Sequence, residues 1–196
     1  MMKLLLHVCC APCSTYTLHK LRQQDIDVTG YFHNPNIHPY REFRRRLAAL
    51  RTFAEETDFP LEIDSRYGLT EYLRKVVFHE KERCLLCYDM RLDKTAQKAA
   101  EMGADAFTST LLYSRYQNHK AIVSSGKRMA EKYGVEFYYD DFRVGWQEGI
   151  DRAIAMDLYR QPYCGCIYSE QERYDKKLQK KLRQERALEK KTGSTD

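Results

Sequence analysis

The stretch Lys3-Leu4-Leu5-Leu6-His7-Val8-Cys9-Cys10-Ala11-Pro12-Cys13-Ser14 decides the fold, because it predicts a strand, a turn and the start of a helix in immediate succession. The apolar run Lys3–Val8 has the length and composition of a buried strand. Ser14 is the predicted N-cap of a helix that reaches to about Gln24. A cluster of cysteines therefore occupies the turn between the first strand and the first helix.

The rest of the chain repeats this alternation of strand and helix. Further strands are predicted at Val28–His33, Leu61–Ile63, Ala106–Thr110 and Val135–Tyr139. Helices are predicted from Pro39 to Glu56, over Thr70–Val77, from the second cysteine cluster to Gly103, over Lys120–Tyr133 and after Trp146. The apolar faces of the two longest are Phe43, Leu47, Leu50 and Phe53 in one, and Leu92, Ala96, Ala99 and Ala100 in the other. The alternation predicts an α/β fold of three layers, α/β/α, with a mainly parallel sheet.

Length and composition bound the function. A chain of 196 residues has the size of one domain, and we expect a catalytic α/β domain over 1–170 and a charged helical tail over 171–196. The net charge of +5 is compatible with a nucleic-acid partner. No apolar run reaches the roughly 18 residues of a membrane span, so we expect no membrane partner and a cytoplasmic location.

The cysteines carry the chemistry. The chain has seven, in three groups: Cys9-Cys10-x-x-Cys13, Cys84-x-x-Cys87 and Cys164-x-Cys166. In a reducing compartment such close spacing indicates metal binding or redox chemistry. Ligands of parallel α/β folds bind beyond the carboxyl ends of the strands, where the first group lies. The N-terminus of the following helix favours thiolates there.

Spacing alone leaves several interpretations open. Cys84-x-x-Cys87 is also typical of half a structural zinc site. Cys164-Gly165-Cys166 bends tightly enough to chelate a metal or to close a reducible disulfide. Six or seven thiols fit an iron–sulfur cluster with a second function better than a lone structural zinc. The chain has neither a Gly-rich dinucleotide fingerprint nor a Walker sequence, so we expect no nucleotide cofactor held by those devices.

Five segments together resemble the QueH-type epoxyqueuosine reductases. They are His7–Cys13, Phe32–Pro39, Arg83–Asp89, Thr110–Leu112 and Tyr159–Cys166, in the same order and covering most of the chain to about Ser169. The resemblance implies a fold like that of the adenine nucleotide α-hydrolases. It also implies reduction of the epoxide of epoxyqueuosine, at the wobble position of tRNA, to queuosine. This is the last step of queuosine biosynthesis, carried out by a metal-dependent, cobalamin-independent oxidoreductase with a [4Fe–4S] cluster and an additional iron.

Carried over by position, the resemblance implies Cys9, Cys10, Cys84 and Cys87 as cluster ligands, with Cys13 as a further candidate. Cys164 and Cys166 are then a catalytic redox pair or ligands of the extra iron, and Asp89 is a candidate carboxylate on that iron. Proton donors are sought among His7, His33, His38 and Tyr88. The reductase would need an external electron donor, which the sequence does not identify.

A tRNA substrate calls for cations on phosphates and rings that stack on bases. The candidate RNA-binding residues are Arg41, Arg44, Arg45, Arg46, Arg115, Tyr116 and Arg143. Two other classes of function remain open from the residues: an iron-free thiol–disulfide oxidoreductase, and a zinc-stabilised RNA-binding module.

Overall fold

The structure, a computed structural model, describes residues 1–192. Five parallel strands form one sheet: β1 (Lys3–His7), β2 (Asp27–Phe32), β3 (Leu61–Ile63), β4 (Ala106–Ser109) and β5 (Glu136–Phe137). Their order is β3-β2-β1-β4-β5, with β1 in the centre. The predicted α/β class with a parallel sheet is confirmed.

The helices are α1 (Ala11–Arg22), α2 (Tyr40–Glu56), α3 (Leu69–Val76), α4 (Arg83–Met102), α5 (His119–Tyr133), α6 (Trp146–Ala155), α7 (Ile167–Tyr174) and α8 (Lys176–Thr192). Two single turns of 3₁₀-helix, Thr110–Tyr113 and Phe142–Gly145, follow the last two strands. Helix α1 packs against α2 and α6, whereas α4 packs against α5, β1 and β4. Two helical layers therefore enclose the sheet, as right-handed crossovers require when strand order reverses.

The core follows from the apolar patterns of the central elements. Leu4, Leu5 and Leu6 of β1 are all buried, as expected of a strand covered on both faces. The predicted face of α2 is buried in full. In α4, Leu92, Ala96 and Ala99 are buried but Ala100 is exposed, so the predicted face was one residue too wide. Gly103 ends α4 with φ 66°, a left-handed conformation that suits glycine.

The start of the first helix was predicted wrongly. Helix α1 begins at Ala11, and Cys10, not Ser14, is its N-cap residue. Pro12 accounts for the early start, because a proline fits the first turn of a helix, where no backbone N–H partner is needed. Ser14 lies inside the helix and donates a hydrogen bond to the carbonyl oxygen of Cys10 at 3.0 Å. The first turn of α1 therefore belongs to the cysteine cluster itself.

The switch point of the sheet, where the strand order reverses, lies beside β1. Connections leave β1 towards β2 on one side, and β4 lies on the other, so a crevice opens between the carboxyl ends of β1 and β4. Cys9 follows the end of β1 and Thr110 the end of β4. Within residues 1–192, no helix is both long enough and apolar enough to cross a lipid bilayer.

Candidate thiol-rich active site

The first three cysteines form a compact group at the switch point, which we call the thiol trio (Cys9, Cys10, Cys13). Their sulfur atoms all lie within 4.8 Å of one another. The Sγ atoms of Cys9 and Cys10 are 3.7 Å apart, and those of Cys10 and Cys13 are 2.6 Å apart. The spacing of residues 10 and 13, one helical turn, brings both sulfurs to the same side of α1. Cys13 therefore belongs to the site as closely as its two neighbours.

Polar groups hold the trio on two sides. The Cys9 amide donates to Thr110 Oγ1 at 3.1 Å, and that hydroxyl lies 3.2 Å from Cys9 Sγ. From the other side, Gln161 Nε2 lies 3.0 Å from Cys10 Sγ and 3.7 Å from Cys13 Sγ. Thr110 links the ends of β1 and β4, whereas Gln161 comes from the segment before Cys164. Both sides of the crevice thus position sulfur.

The three thiols of the trio differ in pKa. Hydrogen bonds from the thiols of Cys10 and Cys13, with a contribution from the charge of Arg91, lower the pKa of Cys9 well below its usual value. Burial raises the pKa of Cys10, and the hydrogen bond to Cys10 raises that of Cys13. These contacts therefore favour the thiolate at Cys9 and the protonated thiol at Cys10 and Cys13.

The remaining cysteines form a second group, the thiol quartet (Cys84, Cys87, Cys164, Cys166). Cys84 and Cys87 lie in the first two turns of α4, and Cys166 is the N-cap residue of α7. Cys87 and Cys166 share a small apolar cluster with Tyr72 and Val76. The pKa of Cys87 is raised to about 12, first by burial and also by the nearby sulfurs of Cys164 and Cys166. All seven cysteines are free thiols in the structure, and Cys164 and Cys166 form no disulfide.

Gly165 makes the turn between Cys164 and Cys166. Its φ of +152° lies in a region that side-chain-bearing residues rarely adopt. The backbone here is held by the loop after β2, because the His38 amide donates to the Gly165 carbonyl oxygen at 2.7 Å. The Tyr163 hydroxyl donates to the His38 carbonyl oxygen at 2.5 Å. The Phe32–Pro39 and Tyr159–Cys166 segments, distant in sequence, thus form one structural unit.

Arg91 connects the two thiol groups. Its side chain is buried on α4, with Nη1 3.8 Å from Cys87 Sγ and Nε 3.3 Å from His7 Nε2. The positive charge also acts on Cys9 and Cys164. His7 is held in turn by Ser109, whose Oγ lies 2.9 Å from His7 Nδ1. Burial lowers the pKa of His7 to about 3, so this imidazole is neutral near pH 7 and leaves the guanidinium as the fixed cation.

A second chain of contacts leads to Cys164. Gln117 Nε2 donates to Cys164 Sγ at 3.2 Å, and Gln117 Oε1 accepts a hydrogen bond from the Tyr88 hydroxyl at 2.8 Å. Tyr88 also accepts from the Asn118 amide at 3.2 Å. Burial raises the pKa of Tyr88, so the phenol keeps its proton and continues to donate. Cys164 is therefore oriented from α4 through a single amide side chain.

A cleft of about 600 Å³ joins the two thiol groups. Cys9 and Cys13 of the trio lie on its wall together with Cys164 of the quartet. The predicted cluster ligands Cys84 and Cys87 do not line it, and their role stays a prediction. Three arginines line it, Arg91, Arg160 and Arg173, and no carboxylate of the described residues does. Tyr116, which is 85% exposed, lines the same cleft and meets Trp146 edge to face at 5.5 Å. The cleft therefore offers thiols, positive charge and aromatic rings to one ligand.

The structure places Asp89 on another side of α4. Its carboxylate accepts hydrogen bonds from Ser125 at 2.5 Å and from Arg128 at 2.6 Å, both on α5. Residues two apart on a helix point in nearly opposite directions, so Asp89 and Cys87 face different neighbours. The structure does not bring Asp89 into the cleft, and its role as an iron ligand stays a prediction.

The candidate RNA-binding arginines differ in how far they are exposed and in whether they are paired. Arg41, Arg44 and Arg45 are exposed on α2. Arg115 is exposed beside the cleft, with its guanidinium 5.7 Å from the ring of Trp146, whereas Arg143 is paired with Asp141 at 2.6 Å. Arg46 is buried and does not lie on the RNA-accessible face that was predicted for it.

Arg46 instead holds the Cys164 loop. It pairs with Glu42 at 2.7 Å and donates to the carbonyl oxygens of Cys164 at 2.7 Å and Tyr163 at 2.9 Å. The spacing of Glu42 and Arg46, one helical turn, was the signal in the sequence for an ion pair within α2. Arg91 was missed as well, although it follows Cys87 by the same interval. Gln117 and Gln161 carried no signal, because an amide is recognised only by what surrounds it.

The thiol trio is suited to holding a metal centre. Thiolates are the preferred ligands of iron–sulfur clusters, and they also bind zinc. The trio supplies three sulfurs close enough for one metal centre, and Cys164 of the quartet lines the same cleft. The buried cation Arg91 opposes the negative charge that such ligands collect.

Comparison with known proteins gives one consistent family. The family model described as "Epoxyqueuosine reductase QueH" matches residues 4–172. A relative of that name from Dehalococcoides mccartyi is 42% identical, over 89% of this chain and 96% of its own length. Relatives of the same name from Streptococcus pyogenes and Thermotoga maritima are 40% and 38% identical. These matches cover 85% and 88% of this chain, and 69% and 92% of the relatives.

Proposed function

The chain belongs to the epoxyqueuosine reductase QueH family, and on this premise we propose that it reduces the epoxide of epoxyqueuosine in tRNA to queuosine. The family predicted from the cysteine motifs is thereby confirmed. The observation that carries the proposal is that Cys9 and Cys13 of the trio, Cys164 of the quartet and Arg91 line one cleft at the switch point of the sheet. The comparisons favour this function over an iron-free thiol–disulfide oxidoreductase and over a zinc-stabilised RNA-binding module. A cytoplasmic location follows from a tRNA substrate.

We propose a [4Fe–4S] cluster held by Cys9, Cys10, Cys84 and Cys87, with an additional iron nearby and no need for cobalamin. Cys13, Cys164, Cys166 and Asp89 are the remaining candidate ligands. What supports this is the closeness of the three sulfurs of the trio, which makes Cys13 a stronger candidate than its sequence position suggested. When bound, the iron centres would supply Lewis acidity to the reaction and a path for electrons from the external donor.

The side chains of the cleft are suited to a substrate that carries negatively charged phosphates and a nucleobase. Arg160 and Arg173 line its wall and attract the phosphates next to the wobble nucleotide. Tyr116 and Trp146 offer ring faces and edges on which a splayed base stacks. Arg91 places a fixed positive charge where the epoxide oxygen gains negative charge as its C–O bond breaks.

The dithiol of Cys164 and Cys166 can supply the electrons and protons that the reduction consumes. Removing the epoxide oxygen as water, to leave an alkene, takes two electrons and two protons. Oxidation of two thiols to one disulfide releases the same number of each, so epoxide and dithiol give alkene, disulfide and water. An external electron donor then returns the disulfide to the dithiol. Of the histidines first considered as acids, His7 is a neutral imidazole near pH 7 and does not serve as a cationic acid.

The test is a single-turnover assay under anaerobic conditions. Wild-type protein, loaded with iron and sulfide and given no cobalamin, is mixed with tRNA that contains epoxyqueuosine, and the nucleosides are analysed by mass spectrometry. We expect Cys164→Ser and Cys166→Ser to lose at least about 100-fold in rate, because neither variant can form the disulfide, while their iron content is unchanged. Wild-type rates in both variants at full iron content would exclude the dithiol. Zinc in place of iron, or no absorption band of a cluster, would exclude the proposed cofactor.

A further inference from the structure

Gln117 bridges a buried phenol and a cysteine sulfur at the wall of the thiol-rich cleft. It lies in the loop between the 3₁₀ turn after β4 and the start of α5, and it lines the cleft. Its Nε2 lies 3.2 Å from Cys164 Sγ, and its Oε1 lies 2.8 Å from the Tyr88 hydroxyl. Neither the cysteine motifs nor the candidate RNA-binding residues include Gln117.

The neighbours of Gln117 decide which way its amide group points. The backbone N–H of Asn118 can only donate, so the Tyr88 oxygen accepts from it, at 3.2 Å. The single proton of the phenol is then free for Gln117 Oε1, which can only accept. The NH₂ group is therefore the end of the amide that faces Cys164, and the contact with sulfur is an N–H···S hydrogen bond.

Both partners that set this orientation are held in place by helices. Tyr88 is 3% exposed on α4. Asn118 is the N-cap residue of α5, and its side chain accepts a hydrogen bond from the Ala121 amide at 3.1 Å. Helices α4 and α5 pack against each other. The orientation of the Gln117 amide is therefore set by a packed pair of helices.

The two sulfurs of the dithiol have different hydrogen-bond donors. Cys164 Sγ accepts from Gln117, whereas Cys166 Sγ accepts from the Ser169 amide at 3.4 Å. Arg46 holds the backbone between them by donating to the Cys164 carbonyl oxygen at 2.7 Å. A disulfide sulfur is a weaker acceptor than the sulfur of a thiol or a thiolate, so each N–H donor favours the reduced form of the pair.

We propose that Gln117 is a positioning residue of the dithiol: its N–H group holds the Cys164 sulfur at the cleft wall and stabilises the reduced form of the pair. Tyr88 keeps the amide in this orientation. The inference rests on the proposed function, in which Cys164 and Cys166 are oxidised to a disulfide. Stabilising the dithiol makes that disulfide a stronger oxidant, so the external electron donor reduces it more readily.

The main test measures the equilibrium between the dithiol and glutathione in the full-length, iron-loaded protein under anaerobic conditions. The dithiol and one oxidised glutathione give the Cys164–Cys166 disulfide and two reduced glutathione molecules, and mass spectrometry of alkylated peptides gives the disulfide fraction. Gln117→Met keeps the length of the side chain and removes its N–H groups. We expect this variant to shift the equilibrium about tenfold towards the disulfide, which is about 30 mV for a two-electron couple.

Tyr88→Phe tests the orientation of the amide while Gln117 and Cys164 stay in place. Without the phenol proton, either end of the amide can face the sulfur, so we expect a shift of about threefold in the same direction. The matched control is Tyr138→Phe, because the Tyr138 hydroxyl also donates to a glutamine, with Gln24 Oε1 at 2.6 Å. Gln24 follows the end of α1 that is remote from the thiol trio, so the control should leave the equilibrium unchanged.

Three outcomes would overturn the inference. They are a wild-type equilibrium in Gln117→Met, an equal shift in the Tyr138→Phe control, and absence of the Cys164–Cys166 disulfide at every ratio of oxidised to reduced glutathione. A merely structural role of Gln117 would lower the melting temperature and leave the equilibrium constant unchanged. Should Gln117→Met not fold, the comparison of Tyr88→Phe with its control decides. Failure of the proposed function is seen separately, as absence of queuosine in the single-turnover assay, whatever the glutathione equilibrium.

Discussion

His38 is the residue whose burial has the clearest consequence for pH dependence. It is fully buried, with its ring 5.6 Å from that of Tyr67 and 5.2 Å from that of Tyr72. Burial lowers its pKa from 6.5 to about 4. Between these two values the unfolded chain binds a proton that the folded protein does not, so stability falls as the pH is lowered through this window.

We therefore expect His38→Phe to remove part of the acid sensitivity. The phenyl ring retains the aromatic contacts and cannot be protonated. Between pH 7 and pH 5 the wild type should lose about 2 kcal/mol more of its free energy of unfolding than the variant does. Urea unfolding at a series of pH values measures this difference. His7 and His33 remain in both proteins, so they do not contribute to it.

The same series contains its own control. From pH 7 to pH 8.5, above the histidine range, the two stability curves should run parallel. Equal losses in both proteins on acidification would show that His38 is already protonated, or solvated, in the folded state.

Single residues are also where prediction from sequence is weakest. Arg46 was predicted as an exposed RNA contact because it belongs to a basic run, yet it is buried against Glu42 and the Cys164 loop. Arg91 carried no prediction, although it is the cation between the thiol groups. Both roles depend on partners more than 80 residues away or on burial, which local sequence does not encode. The cysteines could be identified because their clustering is itself a local signal.

At the scale of elements, α2 separates its two functions by face. Phe43, Leu47, Leu50 and Phe53 pack into the core, while Arg41 and Arg44 point outward. Arg45 lies with its guanidinium 5.4 Å from the ring of Tyr159. This geometry leaves the outward arginines with no structural task in the described chain, as expected of residues available to phosphates.

We expect Arg41→Ala/Arg44→Ala to weaken tRNA binding and to flatten its salt dependence. Loss of two phosphate contacts should lower the slope of log K against log salt by about 1.5, with little change in the free energy of unfolding. Filter binding between about 50 and 200 mM salt measures the slope. The variant Lys3→Ala/Lys20→Ala, which removes two positive charges from β1 and α1, provides the matched loss of charge. A slope equal to that of this control would remove α2 from the RNA-binding surface.

The elements themselves were largely predictable, since hydrophobic period and terminating residues are local. The β3 strand and the ends of α2, α4 and α5 lie where pattern and glycines placed them. The start of α1 was predicted wrongly, because Pro12 allows a helix to begin before Ser14. The burial of Ala100 was not predictable either. Alanine fits either face of a helix, so only packing decides whether it is buried.

At the scale of the molecule, the parallel sheet brings the distant motifs together. Strand order reverses at β1, so the ends of β1 and β4 open a crevice. Its wall includes Cys9 and Cys13, Cys164 from the loop before α7, Arg91 of α4 and Arg173 of α7. That convergence was predicted from the position of Cys9 after the first strand. The division of the sulfurs into a trio and a quartet was not predicted, because it depends on how the Tyr159–Cys166 segment folds back.

The same architecture suggests where the catalytic part of the chain ends. Helix α7 belongs to the site: Cys166 caps it, Arg173 lines the thiol-rich cleft, and Glu172 pairs with Arg83 at the start of α4. Helix α8 packs mainly on α7 and begins after Asp175, whose carboxylate accepts from the amides of Lys177 and Leu178 at 3.0 Å. We propose that the boundary of the catalytic domain lies at Asp175, five residues beyond the predicted one at 170.

Two truncated chains compare these boundaries. The chain ending at Asp175 should keep its iron content and single-turnover rate, with a melting temperature within about 3 °C of the full chain, since a loss below ~1 kcal/mol shifts it by no more than that. The chain ending at Glu170 lacks Glu172 and Arg173 and half of the helix that Cys166 caps. Its rate should fall at least about tenfold, because the quartet loses its support and the cleft loses a cation. Full activity in the shorter chain, or loss of activity in the longer one, would show that the catalytic domain does not end at Asp175.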